Sequence, residues 1–323
     1  MTSPGAGGAP SHRLQLADWP ALVLTAGLAT RLRPLSDVRA KAALPVAGTP
    51  LIARILEQLH AAGIRRVVLN LHHRADTITR IVGDGARFGL DVRYSWETTV
   101  LGSAGGPARA IPLLESDRFL VVNGDTLSNV DLLALAGQHV DTNALVTMAV
   151  VDGREGYNGV IARRDGIVTG FGRHAGAFHF IGVQAVNAAV FAGVDPGAKS
   201  ETVHGIYPGL IARRPEAVRV FQGATEFFDI GSPQDYLDTA LALAAREHRA
   251  IDRGQGCVVG TDARLDHTIV WDRVRIGSGV TLSHCVVADD VVVPDGASYS
   301  HSSLVMRDNT LIADGFSSRT VSR

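Results

Sequence analysis

The chain has 323 residues, with 31 basic against 32 acidic side chains, so its net charge is close to zero. That balance offers no basic excess for nucleic acid, and no apolar run approaches the length of a membrane span. The length suits one large domain with an appendage rather than a single small core. Two cysteines, Cys257 and Cys285, are too few and too widely spaced for a disulfide framework or a cysteine-built metal site. They read as reduced thiols, and a cytoplasmic protein is expected. The first residues, MTSPGAGGAPSHR, are small and polar without the hydrophobic segment of a signal peptide. Residues 1–17 are therefore expected to form a flexible tail.

From residue 18 to about 248, apolar strand-like runs alternate with helical patterns. ALVLTA predicts a strand. LIARILEQLHAAG has apolar residues at helical spacing and ends at Gly63, a plausible C-cap. VVLNL, then LDVRYSWE, then RFLVVNGD predict further strands, with ADTITRIVGDG and SAGGPARAIPLL as intervening helices. Alternation of this kind implies an α/β fold: a doubly wound, mostly parallel sheet covered on both faces. Such sheets bind ligands at the carboxyl ends of their strands. Gly27, Asn70, Glu97 and Asp125 all fall at those ends, which makes them one site rather than four coincidences.

The character changes after Leu243. Gly260, Asp266, Asp272, Gly277, Ser283, Asp289 and Asp295 stand six apart except for one five-residue step. Most follow an apolar residue: Val259, Leu265, Trp271, Ile276 or Leu282. A six-residue period with small polar turns predicts a short left-handed parallel β-helix over residues 249–310, with 311–323 as a tail. The alternative is an antiparallel hairpin array. About two coils fit before the sequence turns polar near Arg307. So short a solenoid cannot bury its own apolar face. It is expected to pack on the larger domain or on another subunit, and a homo-oligomer is anticipated.

The most informative stretch is ALVLTAGLATRLRPLSDVRAKAALPVAGTP, residues 21–50. A strand ending in Ala26-Gly27 lets a ligand approach the backbone closely. Free N–H groups at such a turn favour anions, and Arg31 and Lys41 add positive charge. The combination suits a nucleoside triphosphate attacked at its α-phosphate. It is not a P-loop, because no Lys follows Gly27 at the required spacing. Nor is it the dinucleotide fingerprint, because Ala29 and Leu32 take the second and third glycine positions. The stretch resembles the signature of the sugar-1-phosphate nucleotidyltransferases, Gly-x-Gly-Thr-Arg-x-x-Pro followed by Pro-Lys-x-x-x-Pro. Gly27, Thr30, Arg31, Pro34, Lys41 and Pro45 match it. Ala29 replaces a family glycine, which could narrow the loop's conformations, and Ala40 replaces a proline.

Two aspartates carry the metal reading. Asp125 closes an apolar strand in Asn-Gly-Asp, and Asp229 stands in EFFDIGSPQDY after another strand and before a helix start. Each alone would read as an ordinary turn aspartate. The resemblance pairs them as ligands of Mg²⁺, which takes oxygen donors and keeps several waters. It also places Leu24, Ala26, Gly27 and Thr30 on the nucleotide. Leu101–Gly106 resembles the family's stretch lining the nucleobase, so Glu97, Gly102 and Ser103 are assigned there. Ser103 also reads as a cap of the following helix. Gly159, in a Tyr-Asn-Gly-Val run, and Gly182, in Phe-Ile-Gly-Val, resemble parts of the sugar site. The family's Glu-Lys-Pro lysine is missing from TGFGRHAGAFHF, leaving Arg173 or His174 as substitutes. His72-His73 could line the base site, be solvated or bind zinc.

The resemblance implies that a nucleoside triphosphate and a sugar 1-phosphate combine to give a nucleotide sugar and pyrophosphate. The nucleophile is already anionic, so positioning and charge neutralisation would dominate. Arg31 would hold the β- and γ-phosphates, Lys41 the α-phosphate, and Asp125 with Asp229 the Mg²⁺. Two branches are nearest: mannose-1-phosphate guanylyltransferase and N-acetylmuramate-1-phosphate uridylyltransferase. Glu97, able to accept from guanine N1–H and its amino group, tilts the expectation to GTP. The rivals are a non-catalytic regulatory relative, a hexapeptide acyltransferase and a cytidylyltransferase acting on a non-sugar phosphate. Retention of Arg31, Lys41, Asp125 and Asp229 opposes the first. Too few coils, with no clearly placed histidine, oppose the second. The β-helix and the Asp-Ile-Gly motif oppose the third.

Overall fold

The structure is a computed structural model that describes residues 14–153, 159–223, 226–248 and 253–316. Strand and helix alternate as the apolar runs predict: β1 (Ala21–Leu24), α1 (Leu51–Ala61), β2 (Arg66–Leu71), α2 (Ala75–Val82), β3 (Asp91–Trp96), α3 (Gly102–Leu114) and β4 (Arg118–Asn123). Then follow α4 (Leu132–Asp141), β5 (Val146–Val151), β6 (His179–Asn187), α5 (Tyr207–Arg213), β7 (Val218–Gln222) and α6 (Pro233–Arg246).

The seven strands form one sheet in the order β7-β5-β6-β4-β1-β2-β3. β1 pairs in parallel with both β2 and β4, β2 with β3, and β5 with β7. Only β6 runs antiparallel, between β4 and β5. Side chains of β1 divide between two cores: Ala21 and Val23 enter one, Leu22 the other. Ile52, Ile55 and Leu56 of α1 and Leu237 of α6 fill the first core, and Ala104 and Ala108 of α3 the second, so helices cover both faces. Successive connections leave β1 in opposite directions. Their parting opens a crevice at its carboxyl end, the usual ligand position in such sheets.

Residues 258–307 wind into a parallel β-helix with three sheets. Its rungs are 17 residues apart: Val258 pairs with Arg275 and then Val292, Leu265 with Leu282 and then Tyr299, and Ile269 with Val286 and then Ser303. The six-residue period with one five-residue step is this rung. Three rungs form where about two were expected, because the chain completes another turn up to Arg307. The expected tail from residue 311 also begins later. Asp308 and Asn309, both at positive φ, turn the chain so that Thr310–Gly315 pairs back along Ser302–Arg307. At the other end, Leu16 is buried and Leu14 packs on the same core, so order begins before residue 18.

The β-helix packs on its own chain. Trp271, 1% exposed, donates from Nε1 to the Tyr236 hydroxyl at 3.0 Å, which in turn donates to the Pro45 carbonyl at 2.6 Å. Arg39 lies over the Trp271 ring and bonds Asp272 and Asp289 on adjacent rungs, each at 2.6 Å. Among the described residues, no helix is long and apolar enough to cross a membrane.

Candidate active site

A cavity of about 490 Å³ opens where β1, β2 and β4 end. The parallel register sets Leu24 level with both Asn70 and Asn123, so the three following segments converge. Leu24, Ala26, Gly27, Thr30, Arg31, Lys41, Glu97, Gly102, Ser103 and Asp125 all line it. A β-carbon on Gly27 would meet nothing within 4 Å, so the backbone there is open to a ligand. Ala29 adopts the left-handed region at φ 48°. Replacement of the family glycine thus falls at a position where a side chain costs backbone energy. The chain then closes a 3₁₀ turn at Thr30–Leu32, with buried Leu32 as the anchor that fixes Arg31 at the rim.

Lys41 enters the cavity from a second 3₁₀ turn, Lys41–Ala43, held by the buried Ala42 and Ala43. Its Nζ lies 2.7 Å from Asp125 Oδ2. The other oxygen, Oδ1, is buried without a hydrogen-bond partner among the described residues. Asp229 sits on a short strand, Phe227–Asp229, opposite Thr126, and thus beside Asp125. Burial pushes the Asp229 carboxyl above its ordinary range, and the charge of Asp125 adds to this, while Lys41 and Arg31 oppose it. Two neighbouring carboxylates, one with an orphaned buried oxygen and one resisting ionisation, fit a divalent cation, which satisfies both.

Glu97 carries a structural role that the sequence did not show. It lines the cavity, but both oxygens already accept bonds: Oε1 from Asn70 Nδ2 at 2.7 Å and Oε2 from the Leu101 amide at 2.9 Å. Asn70 Oδ1 in turn accepts from the Thr25 amide at 2.6 Å. A buried chain Thr25–Asn70–Glu97–Leu101 thus ties the phosphate-side loop to the start of α3. Glu97 shapes that turn while facing the cavity, and each carboxylate oxygen keeps accepting capacity beyond the one bond it takes. Ser103 does not cap α3. Glu201 does, accepting from the Ser103 amide and hydroxyl at 3.2 and 2.7 Å. Gly102, at φ 77°, is needed here, since a β-carbon would stand 2.6 Å from both Glu201 and Ser200.

The sugar-side residues lie outside the cavity wall. Gly182, at φ 80°, backs onto Asn123, where a β-carbon would come within 2.8 Å, so it supports the Asn123–Asp125 turn. Gly159 is buried against Ala177. Tyr157 and Asn158 lie outside the described residues. Arg173 and His174 are exposed and do not reach the wall. The His72-His73 pair is split: His72 Nδ1 donates to the Glu97 carbonyl at 2.9 Å and His73 Nε2 to the Ser36 carbonyl at 2.8 Å. Neither faces the base site or shares a metal position with the other. Sequence reasoning noted Asn70 only as a strand-end residue and missed Glu201. Glu201 lies 98 residues from its partner, with no local pattern to reveal it.

A family model described as "Nucleotidyl transferase" matches residues 20–246, more than half of the chain. The chain belongs to that family. Mannose-1-phosphate guanylyltransferase of Mycobacterium tuberculosis is 28% identical over 298 residues, 80% of this nucleotidyl transferase and 81% of the relative. N-acetylmuramate alpha-1-phosphate uridylyltransferase of Neisseria meningitidis is 44% identical over 115 residues, 35% of this chain and half of that protein. Among solved structures, HddC from Yersinia pseudotuberculosis superposes with a TM-score of 0.60 at 23% identity, covering 70% of this chain and 99% of that one. That likeness shows the fold of the nucleotidyl transferase domain.

Proposed function

We propose that this cavity transfers a nucleotidyl group from a nucleoside triphosphate to a sugar 1-phosphate, releasing pyrophosphate. The observation that carries the reading is the Lys41–Asp125 pair beside Asp229, at the foot of a loop with open backbone and a rim arginine. An oxygen of the sugar phosphate forms a bond to the α-phosphorus. The bond from that phosphorus to the bridging oxygen breaks, and pyrophosphate leaves with the electron pair. The nucleophile is an anion, so no base is needed.

Arg31, at the rim, is suited to hold the β- and γ-phosphates through its planar fork. Lys41 carries a compact charge that can follow negative density at the α-phosphate. The Gly27 turn brings backbone donors against the phosphates without a side chain intervening. The Thr25–Asn70–Glu97–Leu101 chain keeps the two walls at a fixed distance, so substrate orientation is set before binding. Asp125 and Asp229 would hold Mg²⁺, which when bound supplies charge neutralisation at the pentacoordinate phosphorus.

Guanine and a mannose-like sugar are the finer reading. It is supported by the guanylyltransferase relative, whose likeness extends over 80% of the chain, beyond the family domain. A uridylyltransferase on an N-acetylated sugar phosphate is the second reading, favoured by 44% identity over 115 residues. A matrix of triphosphates against sugar 1-phosphates, read by pyrophosphate release, tests both. Release confined to GTP with mannose 1-phosphate upholds the first reading. Release with UTP and an N-acetylated sugar phosphate replaces it with the second. No release with any pair removes the proposal.

A further inference from the structure

One corner of the β-helix is built from histidine. His267, His284 and His301 occur at the 17-residue rung spacing, and their rings stack with centroids 4.9 and 4.8 Å apart at interplanar angles of 10° and 4°. All three sit in the left-handed region, at φ 45°, 54° and 46°. The other corner columns, Asp262, Gly279 and Gly296 in one and Gly256, Arg273 and Asp290 in the next, take the same left-handed backbone without histidine. Left-handed backbone favours Gly first and, among other residues, Asn, Asp and His. Corner geometry alone does not require histidine, since the other columns meet it with Gly, Asp or Arg, so three histidines in register are a feature of this corner.

Two of the three rings have a nitrogen within hydrogen-bond reach of an oxygen. His267 Nδ1 is 2.6 Å from Asp266 Oδ1, and His284 Nδ1 is 3.0 Å from Ser283 Oγ. One ligand atom from each of Asp266, His267 and His284 can be chosen so that all lie within 4.8 Å of one another. Donors around a tetrahedral ion at ~2.0–2.1 Å sit ~3.4 Å apart, so rotations of these partly exposed side chains close the difference. Two imidazoles and one carboxylate are the donor set of a first-row transition ion, not of Mg²⁺.

We propose that Asp266, His267 and His284 form a Zn²⁺-class binding site that ties the first rung of the β-helix to the second. Water completes the fourth position. His301 stacks outside the ligand set and holds the plane of His284.

The test uses the full chain, stripped with chelator and kept in saturating Mg²⁺, titrated with Zn²⁺ by calorimetry and followed by thermal unfolding. One ion per chain and a raised melting temperature are expected. His267→Asn and His284→Asn keep a residue tolerant of the left-handed corner. Each should weaken Zn²⁺ binding by at least ~10-fold, the low end of losing ligand support, and abolish the thermal shift. His301→Asn should change affinity by less than about threefold, well below that range. No binding by the parent protein, or undiminished binding by both ligand variants, overturns the assignment. Neither readout depends on turnover, so failure here leaves the transferase reading untouched.

Discussion

Asp229 beside the crevice and Asp290 on the β-helix are treated in opposite ways. Burial and the neighbouring Asp125 raise the Asp229 carboxyl. Asp290 is lowered, chiefly by its hydrogen bonds with Arg273 one rung away, at 2.6 and 2.9 Å. The crevice as a whole leaves polar groups wanting: Asp125 Oδ1 has no partner among the described residues, and Ala29 is held at φ 48°. The β-helix instead repeats its hydrogen bonds rung after rung. A site that is incomplete by itself gains most when substrates arrive. An element whose hydrogen bonds recur from rung to rung supplies rigidity.

The largest break of this comparison is Trp271→Ala. Removing a fully buried tryptophan between the two regions should cost ~3–5 kcal/mol of stability, read as a shift in urea midpoint. Pyrophosphate release per folded molecule should stay near the parent value. A loss of turnover without loss of stability would mean that the β-helix acts on chemistry.

Asp125→Asn comes next. Turnover should fall at least ~10²-fold at saturating Mg²⁺, the scale of losing one preorganised electrostatic group. Near-parental turnover would remove Asp125 from the reaction.

Acid titration of the chelated protein then separates the two aspartates. With Asp229 raised, the folded state holds more protons than the unfolded state above the ordinary value of 3.8, so its contribution falls as pH rises through that window. With Asp290 lowered, the folded state holds fewer protons, and the stability it contributes is lost as pH falls from 3.8 toward the depressed value. Asp229→Asn should therefore gain on the parent as pH rises, and Asp290→Asn should gain on it as pH falls, both read by denaturant midpoints. Parallel curves for the two variants would erase the distinction.

The smallest effect belongs to Ala29→Gly. Relief of about 1 kcal/mol of left-handed strain is partly offset by glycine's freer unfolded chain, about 0.4–1 kcal/mol. A net gain below about 1 kcal/mol is expected, measured by urea midpoint. A clear loss would show that the Ala29 methyl contributes more by packing than its backbone costs.

Much of this was legible because local chemistry carried it. Apolar runs marked the strands, and the polar residues ending them marked the crevice. Ala29 stood out as a replacement of a family glycine that could narrow the loop's conformations. What escaped depended on distant partners. Glu201 caps α3 across 98 residues, and Glu97 is claimed by Asn70 and the Leu101 amide before any base arrives. Arg39 reads in sequence as part of the phosphate segment. Yet two residues before Lys41 it turns the other way, onto Trp271 and the aspartates of two rungs. The rung count was undercounted because polarity near Arg307 masks a hairpin that closes the third sheet.

The 17-residue register also limits how such a chain can change over evolutionary time. Deleting a single residue would slide every later corner out of its column and turn core side chains outward. Deleting or duplicating a whole rung would preserve each column. Length can therefore vary only in quanta. Arg39 grips Asp272 and Asp289, one on each of two consecutive rungs, so those two are indexed to the catalytic domain. Lineages that lengthen or shorten this element should do so at its far end, beyond the rung of Asp289.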